Sequence, residues 1–237
     1  EMVMRTPDAL MNGQSTVDVI KSCVPAIIDP WQMPVIDLDS IMVAIRSATF
    51  GEMLDLEVAV PKVNKTMTYQ VDLRTVVDGM DKFEFDPIVV ISAELKFKVR
   101  PTTYRQLTNL QLKTYEQQRL MVQVTDSKLT PQQRQEELTR VFNNITNLTL
   151  ENMKDTIVEV IAEGKTYTER SYINELVDNM DTATAKMITA HMEKYNRIGK
   201  IKDVTVNSPA DMVKDGAPET FSVPISLDNS SFFVSKS

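Results

Sequence analysis

Apolar and polar residues alternate strictly in two runs between positions 54 and 74. Leu54, Leu56, Val58 and Val60 interleave with Asp55, Glu57 and Ala59, and Met67, Tyr69, Val71 and Leu73 with Thr68, Gln70, Asp72 and Arg74. A period of two puts every apolar residue of a run on one face, so the runs predict a hairpin with one dry side, joined by the connection PKVNKT. Just upstream the period changes. Leu38, Ile41, Met42, Ile45 and Ala48 recur at helical spacing, with Asp37 placed to cap the start and Gly51 to end the helix. Before that, STVDVIKSCV predicts a helix capped by Ser15 or Thr16, with Val17, Ile20 and Val24 on one face. Pro25, Pro30 and Pro34 then punctuate a linker that contains Trp31.

Two further strands are predicted at IVVIS (88–92) and LKFKVR (95–100), the second with Leu95, Phe97 and Val99 inward. From about residue 103 the pattern turns helical. TYRQLTNLQLKTYEQQRLMVQV is Gln-rich and weakly striped. In TPQQRQEELTRVFNNITNL, Thr130, Pro131 and Gln133 form a capping box with proline in the first turn. Leu138, Val141, Phe142, Ile145 and Leu148 make its apolar stripe. A separate helix is predicted from Thr149 to Gly164, with Leu150, Met153, Ile157, Val160 and Ile161 on one face, and two shorter ones over 171–180 and 181–195. Strand character returns in VTVNS and TFSVPISL around the loop PADMVKDGAP. Phe221, Val223, Ile225 and Leu227 alternate there, and Pro224, which has no N–H to donate, predicts an edge strand.

The pattern therefore predicts an α+β fold with antiparallel hairpins near both ends and a largely helical middle; there is no βαβ alternation. Two units are expected: a helix-plus-hairpin unit over 1–101, and a helical unit with a C-terminal hairpin over 102–237.

Composition narrows the function without naming it. The chain has 237 residues and a net charge of −7. That balance argues against a nucleic-acid binder, which presents a basic face, and fits solubility or a basic protein partner. No apolar run approaches the roughly 18–20 residues of a membrane span, and no signal peptide is visible. The chain starts EMVMRTPDALM with no methionine ahead of Glu1, so an N-terminal segment is expected to have been removed or lost.

Candidate chemistry is sparse. Cys23 is the single cysteine, which excludes an intramolecular disulfide or a thiolate zinc knuckle; its place on a helix face reads as a small buried hydrophobe. His191 is the single histidine and falls beside the stripe of Met187, Ile188, Met192 and Tyr195, where a packed or rim role is expected. EGKTYTE (163–169) resembles the end of a phosphate-binding loop, but Glu159 stands where the first glycine is needed. Asp37 and Asp39 are explained by their place at a helix start. No EF-hand spacing is present, and neither a metal nor a cofactor is expected. One enzymatic alternative remains, a small hydrolase that uses the acidic cluster around 37–57 with His191.

The residues from VDVIKSCV through TMTYQVDL resemble the T-even-type phage baseplate protein family, whose members are hub or hub-assembly subunits of contractile tails. The resemblance rests on Cys23, on Met33-Pro34-Val35-Ile36-Asp37-Leu38, on Arg46-Ser47-Ala48-Thr49-Phe50-Gly51-Glu52 and on Asp72-Leu73. A looser likeness over 170–233 ends in ISLDNSSFF (225–233). Many relatives carry Cys-Pro-x-Cys knuckles at the hairpin tips; here Val60-Pro61-Lys62-Val63 occupies the first, and the second tip has no cysteine.

The resemblance implies a non-enzymatic structural or assembly protein of the baseplate hub, built in the host cytoplasm and located in the virion tail. It would bind other tail proteins in a hetero- or homo-oligomeric assembly, with no nucleic acid and no membrane. A transient assembly chaperone absent from the mature virion is the alternative. Interface candidates are Trp31, Asp55, Glu57, Tyr69, Arg74 and Pro224.

Overall fold

A computed structural model describes residues 13–80, 82–126 and 129–225. The starting stretch EMVMRTPDALM, the alternation at Leu227 and the end of ISLDNSSFF lie outside the described residues. The fold is α+β, with antiparallel hairpins toward both ends and helices between them.

The first hairpin forms as its alternation predicts. β1 (Met53–Val60) and β2 (Lys65–Asp72) pair with Leu54 opposite Val71, Leu56 opposite Tyr69 and Val58 opposite Met67. Its turn is four residues long, 61–64, because Lys65 and Thr66 join the ladder opposite Val60 and Ala59. Leu54 and Val71 bury against Val43 of helix α2 (Leu38–Phe50) and against Leu73 and Val76 of α3 (Leu73–Asp78). Val58 packs instead on Val206 and Val223 of a second hairpin, β7 (Val204–Asn207) and β8 (Thr220–Val223). The two hairpins thus share a core, and Lys65 Nζ reaches Asp215 Oδ2 at 2.7 Å. Strand β8 stops at Val223, just before the donor-less Pro224.

Three local expectations fail at the first helices. Helix α1 (Gln14–Cys23) starts after Gly13 with no side-chain cap, and Ser15 is buried inside it. Asp37 precedes α2, but its side chain makes no cap bond; partial desolvation holds that carboxyl above its ordinary range. Cys23 is exposed, as the last residue of α1 beyond the buried Ile20.

Residues 157–162 form a strand where the helix expected over Thr149 to Gly164 would continue, and a further strand follows at 165–167. β3 (Ile88–Val90), β4 (Leu95–Val99), β5 (Ile157–Ala162) and β6 (Lys165–Tyr167) make one antiparallel sheet in that order, joining strands from either side of residue 101. EGKTYTE is its last hairpin. Glu163 and Gly164 have φ of 50° and 76°, the two positive values that a type I′ turn needs. The sheet's inner residues Phe97, Val99, Ile157 and Val160 bury against Ile173 and Val177 of α6 (Arg170–Asp178) and Ile188 and Met192 of α7 (Thr182–Ile198).

Helix α7 is capped by Asp181, whose Oδ1 accepts from the Ala183 and Thr184 N–H groups and whose Oδ2 accepts from the Thr184 hydroxyl. The Thr184 hydroxyl first, and then the backbone donors, hold this carboxyl below its ordinary range. A depressed folded-state value stabilises fully above the unfolded value of about 3.9, and that contribution is lost as pH falls through the folded value. Asp181→Ala is therefore expected to lower the melting temperature at neutral pH. The gap to the parent protein narrows in melts recorded below about pH 4; a gap constant with pH would contradict the cap.

Between these parts, α4 (Tyr104–Asp126) and α5 (Pro131–Thr156) form an antiparallel helical arm. Thr130 and Gln133 make the predicted capping box, with Pro131 in the first turn. Helix α5 continues through Thr149 without a break. Among the described residues no helix is long and apolar enough to cross a membrane.

Candidate interaction surface

The first hairpin presents two chemically different faces. Its inner face is core. Its outer face carries Asp55, Glu57, Thr66, Thr68 and Gln70, all exposed. Asp55 accepts from Gln70 Nε2 across the strands at 3.0 Å, and Glu57 stands opposite Thr68. Tyr69 has the other parity and packs inward, half-buried, against both hairpin cores.

At the open end of the hairpin Arg74 gathers two carboxylates. Its Nη2 lies 2.7 Å from Asp72 Oδ2 and its Nη1 3.1 Å from Glu52 Oε2. Hydrogen bonds from Arg74 hold the Asp72 carboxyl below its ordinary range. The pairs are exposed, so they orient the surface more than they stabilise it. Beneath this end Arg46 is buried. Its Nη1 donates to the Gly51 carbonyl at 3.3 Å and its guanidinium lies 4.8 Å from the Phe50 ring centre. Burial pushes its pKa down while Asp55 pulls it up. The stretch RSATFGE thus ends α2 and turns the chain into β1.

Trp31 sits apart from this face, in a 3-10 turn (Pro30–Gln32) capped by Asp29. It stacks on Tyr104 at 5.6 Å, and the Arg105 guanidinium lies 5.0 Å from its ring centre. Pro224 is exposed at the end of β8. The fold brings Asp55 and Glu57 onto the outer face of one hairpin, places Arg74 in α3 at its open end and Tyr69 under it, and leaves Trp31 beside the arm.

The acidic residues around 37–57 do not converge with His191. Asp39 Oδ2 accepts from the Ile201 N–H, while His191 Nε2 donates to the Asp86 carbonyl at 2.8 Å and its ring meets Phe85 and Tyr195. Among the described residues no group of three or more His, Cys, Asp and Glu side chains could hold a metal ion. An apolar groove of about 460 Å³ between α1 and α2 is lined by Cys23, Val24, Ile41 and Ile45.

The arm is a surface that residue types alone do not single out. Tyr115, Val122 and Phe142 are exposed by 50%, 61% and 58%. Phe142 is thus on the surface and not in the expected apolar stripe, because it follows the buried Val141 and is turned out of the seam between the helices. The available signal was the heptad spacing of Leu107, Leu110, Thr114, Gln117, Met121 and Val124.

A family model described as T4 bacteriophage base plate protein matches residues 2–210. The chain belongs to this baseplate family. No curated protein and no solved structure matches it. Membership in the T4 baseplate family makes it a structural protein of the phage tail, one that meets other tail proteins. The family match covers β1 to β7 and the whole arm and ends before β8.

Proposed function

We propose that this baseplate protein is a hub component of the contractile tail and works by protein–protein contact without turnover. It is assembled in the host cytoplasm and kept in the virion. The observation that carries the reading is the outer face of the first hairpin: a polar surface with Asp55 and Glu57 side by side, held on a core shared by α2, α3 and the second hairpin. Such a face offers charge and exposed backbone on a stiff support, which suits docking. Asp55, Glu57 and Arg74 form the contact, with Tyr69 packing behind it and Trp31 and Pro224 at neighbouring surfaces. The acidic balance favours a basic protein partner over nucleic acid or a membrane.

The double variant Asp55→Lys/Glu57→Lys is expected to fold like the parent, since both side chains are exposed, and to fail to enter baseplates. Incorporation at the parent level, measured by peptide mass spectrometry of purified particles, would sink the reading. Detection of the parent chain only in assembly intermediates would make it a transient hub-assembly chaperone.

A further inference from the structure

The arm is built as half of a helical bundle. Thr114 and Gln117 of α4 and Asn144, Ile145 and Leu148 of α5 sit at or beside its seam, yet all are only half-buried. Val124 and Val141 are the buried seam residues of its distal part. A two-helix pair can dry its own seam, but this one leaves most of it half open, and a third or fourth helix laid against it would complete the burial.

The exposed apolar residues lie on one side of that opening. Gln117 accepts from Asn144 Nδ2 at 3.2 Å, which fixes the level of the two helices. In an antiparallel pair, the residue that follows a seam position turns to the same side on both helices. Tyr115, Val122 and Phe142 follow Thr114, Met121 and Val141, so they share one face. The Gln117–Asn144 pairing sets Val122 level with Thr139. A groove of about 460 Å³ opens beside it, lined by Leu129, Pro131, Leu138 and Phe142 together with Arg134, Gln135 and Thr139. The face therefore carries both a ridge, Tyr115 and Val122, and a groove whose apolar part is Leu129, Pro131, Leu138 and Phe142.

Charge says what covers it. Residues 104–156 hold seven Lys and Arg against six Asp and Glu, a net of +1, so the rest of a chain of charge −7 carries −8. The arm is the near-neutral part of an acidic molecule, so two copies meet there with the least net repulsion. The size also suits a dimer. About 22 overlapping residues give a face about 33 Å long and about 20 Å wide, roughly 700 Å² per copy. About 1,400 Å² in total is within the standard range for a stable interface.

We propose that two copies of the protein associate through their arms, face to face, as an antiparallel four-helix bundle. The ridge of each copy fills the groove of the other, an isologous contact that closes on itself. This inference stands on the arm alone and is independent of the hub reading.

Sedimentation equilibrium of the full chain over about a hundredfold concentration range tests it. The expected mass at the upper end is twice 26.8 kDa. Phe142→Glu and Val122→Glu should each move the dissociation midpoint up by about tenfold or more. Their far-UV circular dichroism should match the parent, since both side chains are exposed. Asp55→Lys/Glu57→Lys moves the net charge from −7 to −3 and should leave the dimer at least as stable, which separates this contact from the hairpin surface. A single-chain mass at every concentration would overturn the proposal, and so would a dimer insensitive to both arm substitutions. Capture of another tail protein on the arm face by a chain that stays monomeric would overturn it as well.

Discussion

Phe97→Ala is expected to lower the free energy of unfolding by about 3–5 kcal/mol. Phe97 is 1% exposed and stands in β4 between Val89 of β3 and Val160 of β5. Its ring fills the space between the sheet and the buried residues Ile173, Val177, Ile188 and Met192 of α6 and α7. Truncation removes the ring's transfer free energy and leaves a cavity. One wall of that cavity is a hydrogen-bonded sheet with strands paired on both sides of β4, so the site has little freedom to collapse, and the cost belongs at the high end. Phe97→Leu keeps most of the volume and should cost less. Phe142→Ala is the matched control: at 58% exposure it should change the stability of the monomer by no more than about 0.5 kcal/mol. Urea titrations of the three variants check this order. A loss below about 1 kcal/mol for Phe97→Ala would mean that the sheet does not pack as described.

The same sheet shows where sequence pattern succeeds and where it misleads. The first hairpin was legible because both its strands alternate without interruption and one face is dry. The capping box at Thr130 was legible because three residues carry it locally. Strand β5 was not. Met153, Ile157 and Val160 are spaced like a helix face, and the first of them does lie on α5. At the junction the register shifts between Lys98 and Val99: Lys98 faces Glu159 while Val99 faces Ile157, so Val158 has no residue opposite. This bulge turns an inward period of two into a step of three, and Ile157 and Val160 both point to the core. A bulged strand following a helix thus imitates the helix's own continuation. Surface features were hidden for another reason. Phe142 and Val141 are both apolar neighbours, and only the position of the second helix decides which of them is buried. Cys23 likewise depends on where α1 ends. Tyr69 and Asp55 could be sorted by parity alone, whereas the place of Trp31 against Tyr104 rests on a contact across 73 positions of chain.

Gly199→Ala is the substitution where two physical effects give opposite signs. Gly199 follows α7 with φ −71° and ψ −2°, a conformation open to any residue. Helix propensity alone would therefore favour alanine there, by up to about 1 kcal/mol. Space forbids it. A Cβ at this position would lie 2.6 Å from the Ile36 carbonyl oxygen and 2.9 Å from the Ile36 Cα. Both neighbours are backbone, so no rotamer change relieves the contact. Each side is also held in place. Ile36 belongs to a 3-10 turn (Val35–Asp37) whose Val35 N–H bonds the Thr102 carbonyl. The Gly199 N–H bonds the Tyr195 carbonyl, and two residues on, Ile201 donates to Asp39. Relief requires α7 to move away from the segment that starts α2, which breaks the Ile201–Asp39 bond. The expected result is a net loss of about 1–3 kcal/mol, read from chemical denaturation. Combined with Asp39→Ala, the loss should be smaller than the sum of the two single effects, because both report one contact. A gain in stability for Gly199→Ala would show that propensity governs this position and that the approach to Ile36 is looser than described. A loss would identify this backbone crossing as the joint that fixes the end of α7, and with it the entry to the second hairpin, against the turn that precedes α2.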